Sequence, residues 1–251
     1  MYLLSIFAAA ILFMASKALA EIEPTASDNL RFFGVWLGAS MGADIFRFQS
    51  TLIIPAGSPD SNTLGLQAVW PGLQPHSQQY VLQNVLANGV PGEWLLEPYS
   101  CCNPIAMLVP PMRVYPGDTL TNTFSLDRFS MQWQINWVVI PGPVGQAAGE
   151  VSFNGGLNFD LTQYDNDNAT IEAYTSSMFA IELQHGGQWD FGPVSWRDIL
   201  LEINTTDTTW CKSGPQLQAG SFHWNYSTPV ASPVDNVVRC YIAEMNFESP
   251  I

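Results

Sequence analysis

The chain has 251 residues, with Lys and Arg contributing 8 positive charges against 22 from Asp and Glu, for a formal charge of −14. Charged residues make up only 12% of it and apolar residues 47%, so it is too apolar for a disordered chain and too acidic to follow a phosphate backbone. The 19 Gly and 18 Pro, spread throughout, exclude a long-helix or coiled-coil protein, whereas nine Trp beside so few charges call for an explanation.

Residues Met1 to Ala20 form an apolar run ending in Ala18-Leu19-Ala20, which reads as a signal peptide cleaved after Ala20. Residues 21–48 are irregular and are expected to wrap the remainder. From there the apolar period is mostly two, with turn residues between runs, as in strands. In order, the runs are Thr63 to Trp70 up to Pro71-Gly72, Tyr80 to Leu86, Thr119 to Leu126, and Met131 to Val139. Gly149 to Phe153, Gly156 to Leu161, Ile171 to Ala180 and Val194 to Ile203 follow. Past Pro215 only Val237 to Ile242 shows a pattern. Strands without intervening helices predict an all-β, antiparallel sandwich of the jelly-roll or concanavalin-like kind. It is expected as a single domain over residues 21–251, with 206–251 a C-terminal extension tied by disulfides. No later run is long enough to span a membrane.

Three sequons, at Asn168, Asn204 and Asn225, accord with a eukaryotic secretory route and an extracellular or vacuolar destination. Four cysteines in such a compartment predict two disulfides. A bridge between the neighbours Cys101 and Cys102 closes only a small ring. Each is therefore expected to bond one of Cys211 and Cys240, closing loops of ~100 residues worth ~4 kcal/mol apiece.

Candidate chemistry is sparse. There is no nucleophile elbow, and His76, His185 and His223 have no metal-binding spacing, so no metal or cofactor is expected. The acidic stretch Asp165 to Asn168 lacks the glycine and distal glutamate of a calcium loop. Glu93 and Glu97 share one strand face by parity, but at ~13 Å they are too far apart for a glycosidase pair. On Met131 to Val139, Gln132, Gln134 and Asn136 form a row of amides opposite Trp133, Ile135 and Trp137, facing either solvent or a polar-floored groove.

A family resemblance emerges from motifs in the same order along more than half the chain. They are Val69-Trp70-Pro71-Gly72, Val81-Leu82-Gln83-Asn84-Val85, Glu93-Trp94-Leu95-Leu96-Glu97-Pro98, Tyr115-Pro116-Gly117-Asp118, Ser177-Met178-Phe179-Ala180-Ile181-Glu182 and Phe191-Gly192-Pro193-Val194-Ser195-Trp196. The pattern resembles the fungal glutamic peptidases (eqolisins), which implies a two-sheet antiparallel sandwich. The resemblance places the family's catalytic glutamine at Gln83 and its catalytic glutamate at Met178. A thioether is neither a general acid nor a base, so peptidase action in the family's manner is not expected. Glu182, four residues on and on the same face, is the nearest carboxyl along that strand.

Parity assigns Gln83, Gln134, Glu182 and Gln184 to a groove, with Trp70, Trp94, Trp189 and His185 at its rim. An apolar, aromatic groove dotted with amides suits catalysis that needs orientation and a few hydrogen bonds rather than a nucleophile. The expected role is cyclisation of a small apolar or aromatic natural product, with Gln83, Glu182 and His185 as candidate catalytic residues. In length, leader, sequons and aromatic content the chain also resembles fungal hetero-Diels–Alderases that join tropolone-derived quinone methides to humulene-type sesquiterpenes, though no motif residue carries over. An acid peptidase and a non-catalytic carbohydrate-binding sandwich, the latter on the Gln132, Gln134, Asn136 row, are the alternatives.

Overall fold

The computed structural model describes residues 30–39, 43–57, 65–90, 92–102, 105–160 and 172–250. The signal-peptide region, Asn168 and the Asp165 stretch lie outside them.

Two antiparallel sheets pack face to face. The first, sheet A, contains β1 (Arg31–Gly38), β3 (Leu66–Pro75), β4 (Val81–Asn88), β5 (Trp94–Cys101), β6 (Ala106–Met107), β7 (Met112–Val114), β11 (Tyr174–Gln184) and β13 (Gln216–Ala219). Its order is β13-β1-β11-β3-β4-β5-β6, with β7 also on β5. The second, sheet B, contains β2 (Ile45–Ile53), β8 (Thr119–Asp127), β9 (Gln132–Ile140), β10 (Phe153–Phe159), β12 (Val194–Asn204), β14 (Phe222–Tyr226), β15 (Val230–Val234) and β16 (Val237–Pro250). It runs β10-β9-β8-β2-β12-β16-β14, with β15 also on β16. Among the described residues two five-residue helices, α1 (Pro143–Ala147) and α2 (Thr209–Ser213), interrupt the strands.

The period-two runs become strands because every second side chain enters the space between the sheets. On β9, Trp133, Ile135, Trp137 and Val139 are buried and Gln134, Asn136 and Val138 exposed. The core is aromatic. The Phe179 ring of sheet A meets Phe48 edge-on at 5.4 Å and Trp196 at 5.2 Å, both from sheet B. Each fully buried ring or branched side chain of this kind stabilises the fold by ~1.5–3 kcal/mol. A polar contact crosses the core, the Asn84 amide donating to Asn122 Oδ1 at 2.9 Å.

Several expectations are corrected. Residues 30–39 and 43–48 do not wrap the outside; they supply β1 and the start of β2, which lie inside the sheets. Pro71-Gly72 is not a turn, because β3 runs through it to Pro75. The missing proline N–H falls where the β3–β4 ladder is interrupted, between Val69↔Leu86 and Gly72↔Gln83. Residues past Pro215 add four strands, the first three short and largely exposed.

The disulfides pair as Cys101–Cys102 and Cys211–Cys240. The long-range pairing fails on geometry: Cys101 follows Tyr99 on the outward face of sheet A, whereas Cys240 points from β16 into the core between the sheets. Cys211, in the middle of α2, is buried in that same core.

Candidate functional site

Sheet A is buried on both faces. Odd-numbered positions of β3 and β11, such as Val69, Phe179 and Ile181, enter the core; even-numbered ones point outward, where Ala68, Trp70, Met178 and Ala180 form a second apolar cluster. Val81, Val85 and Tyr99 extend it across β4 and β5. These outward side chains are buried nonetheless, and Phe32, Trp36, Leu66 and Cys102 are its partly exposed members.

Glu182 lies at one end of this face, 1% exposed. It accepts from Trp70 Nε1 at 3.2 Å and from Gln184 Nε2 at 2.8 Å. Burial pushes its carboxyl up to about 7, more than the Gln184 and Trp70 hydrogen bonds draw it down. At acidic pH it is thus a proton-bearing acid, and near neutrality it begins to ionise.

Glu97, on β5, faces the same way from two strands beyond Trp70, and burial also raises its carboxyl to about 7. Its Oε2 and the Oε1 of Gln83 are buried without a hydrogen-bond partner. The Tyr99 hydroxyl is raised to about 12, by burial first and the charge of Glu97 second. Sequence reasoning weighed Glu97 only against Glu93, which sits just before β5 and pairs with Arg113 at 2.9 Å. The available signal was its parity with Tyr99 and Cys101, two and four residues on.

Met178, Gly72, Gln83 and Tyr99 stand in one row across β11, β3, β4 and β5. Glu182 is registered on Ala68 instead, four residues from that row. With ~3.4 Å per residue and ~4.8 Å per strand, Glu182 and Gln83 are ~16 Å apart, too far to act on one bond.

The remaining expected site residues divide. Gln184 belongs to the Glu182 cluster and Trp70 is its indole donor. Trp94 is not at a rim but in the core against Phe191, since position 94 has the opposite parity to Glu97. Trp189 packs on Phe33 and Phe191 and donates to the Gly192 carbonyl. Gln134 is exposed on the outer face of sheet B, the other sheet. His185 sits in the exposed turn after β11 with φ of 51°. Asn204 and Asn225 are exposed.

No protein-family model and no curated protein matches the chain. Among solved structures it is similar to scytalido-glutamic peptidase with a transition-state analogue inhibitor, at 13% identity and a TM-score of 0.47, over 86% of this chain and all of that one. That likeness transfers no residue role. Among the described residues no helix is long and apolar enough to cross a membrane.

Proposed function

We propose that the outward face of sheet A is the working surface of an enzyme that holds an apolar natural-product intermediate and promotes its cyclisation, in a pericyclic step of the hetero-Diels–Alder type. The observation behind this reading is a buried acid, Glu182, set by Trp70 and Gln184 at the edge of an apolar, aromatic floor. A protonated carboxyl donating to a carbonyl of one reactant withdraws electron density from it, and the floor orients the second reactant against it. Orientation alone offsets ~7–11 kcal/mol of such a barrier, and the reaction needs no nucleophile. The leader-like N-terminus, the exposed Asn204 and Asn225 and the Cys211–Cys240 bridge support a secretory, extracellular or vacuolar setting.

The test generates an o-quinone methide in situ and supplies humulene as the alkene partner. Accelerated, enantioselective cycloadduct formation that falls at least tenfold in Glu182→Ala supports the reading. A racemic product formed at the uncatalysed rate removes it.

The second reading, a glutamic-type acid peptidase, draws on the motif resemblance and the open Oε1 of Gln83. It is the weaker one because the resemblance puts the catalytic acid at Met178, and the two carboxyls of the face, Glu182 and Glu97, lie off the Gln83 row.

A further inference from the structure

Glu97 and Gln83 are diagonal neighbours on adjacent strands: Gln83 is registered on Tyr99, and Val85 on Glu97. Diagonal outward side chains of an antiparallel pair lie ~7–8 Å apart at the backbone, so their ends reach one small molecule together. Each is nearly fully buried, at 4% and 2% exposure, and each carries an oxygen with no partner in the protein. Around them the face is apolar, with Val81 and Val85 on β4 and Tyr99 beside Glu97.

Buried polar atoms without partners destabilise a fold, and a face required only for packing would carry aliphatic side chains there. We propose that Glu97 and Gln83 are the anchoring pair of a ligand site on this face, taking an uncharged compound that bears a carbonyl and a hydroxyl on one apolar or aromatic frame. The Glu97 carboxyl donates to the ligand carbonyl, and the ligand hydroxyl donates to Gln83 Oε1. A carboxyl held protonated to about pH 7 supplies the donor this requires. An ionised ligand does not suit the site, since the face offers an ion no solvation.

The pair goes beyond the proposed function: by the same spacing Glu97 and Glu182 are ~16 Å apart, so it is a second site on the face and stands independently of that reading. Its test therefore reads binding. The full-length protein is titrated with 3-hydroxyacetophenone by calorimetry and saturation-transfer NMR, with phenol and acetophenone as single-group controls. The hydroxyketone is expected to bind at least tenfold more tightly than either control, and Glu97→Leu and Gln83→Leu are each expected to remove that preference. Both variants are expected to melt no lower than the parent, because each removes an unpaired buried oxygen; a residue with only a structural role gives a fall in melting temperature instead. Should Glu97→Leu not fold, Gln83→Leu carries the test, and Glu97→Gln, which keeps a donor, is expected to bind within about threefold of the parent. Equal affinities for the three probes, unchanged binding in both leucine variants, or no binding up to probe solubility overturns the proposal. Probe binding that depends on the pair, in a protein that cyclises nothing, keeps the pair and removes the cyclase reading.

Discussion

Met178 and Gln83 stand on either side of Gly72 in a single row across three strands of sheet A. A Cβ on residue 72 would come within 3.1 Å of the Gln83 Cβ and 3.0 Å of the Val81 side chain, so any larger residue there would crowd the row. The row holds an amide and a thioether but no acid. The carboxyls of the face flank it, Glu182 towards one end of β11 and Glu97 across the sheet on β5.

The first prediction concerns proteolysis. The resemblance puts the catalytic acid at Met178, and a thioether cannot protonate a leaving amine, so the protein is expected to leave a denatured protein substrate intact across the acidic range. Gel and mass-spectrometric assays at several acidic pH values check this. Cleavage that disappears in Gln83→Ala would restore the peptidase reading.

The second concerns stability and pH. The folded values of Glu97 and Glu182, each about 7, lie above the ordinary 4.5, so the folded state keeps protons that the unfolded chain releases. Their contribution is complete below about pH 4.5, declines as pH rises towards about 7 and is then lost. The cost at higher pH is on the order of 3 kcal/mol per carboxyl at most. Thermal melts are expected to show this fall, and a Glu97→Leu, Glu182→Gln double variant is expected to flatten it. Because the indole N–H favours the charged form of Glu182, Trp70→Phe should raise that carboxyl further, as NMR titration would show.

A third prediction separates the two disulfides. Cys211–Cys240 spans 29 residues, and opening it with a double serine variant is expected to cost about 3–4 kcal/mol in denaturant unfolding. Cys101–Cys102 closes no chain loop, so Cys101→Ser with Cys102→Ser loses no loop-closure term. Non-reduced peptide mapping should recover both sulfurs of the vicinal pair in one peptide.

The fourth addresses Asn84 and Asn122, the polar pair across the core. Replacing either one by Leu strands the other amide and is expected to cost about 1–3 kcal/mol. Replacing both should recover much of that loss, and a double-mutant cycle measures the coupling.

Strands with one wet face were readable in the sequence: β9 alternates cleanly because Gln134, Asn136 and Val138 meet solvent. Sheet A was harder, since β3, β4 and β11 are buried on both sides and lose the alternation. The terminal strands β13 to β15 are short and mostly exposed, so burial left little pattern in them. On the candidate site, parity put Glu182 and Gln184 on one face of β11; the structure sets Glu182 between Gln184 and Trp70, with the indole fully buried and not at a rim. Parity could also have sent Trp94 inward and Glu97 outward, but a motif-level match kept the tryptophan at the rim. Gln134 went astray because parity gives a residue's side of its strand and not the sheet to which that strand belongs.

The Cys211–Cys240 bridge has a consequence beyond its loop entropy. The ring that it closes, with its cysteines 29 positions apart, contains β13, an edge strand of sheet A, together with β14 and β15 of sheet B, and it ends on β16. The ring therefore laces the two layers together at one margin. A nick anywhere inside it leaves the chain in one covalent piece, with both halves of the cut still held in their sheets. Peeling either layer away pulls on the other, so the sandwich should come apart as one cooperative unit until a reductant cuts the lace.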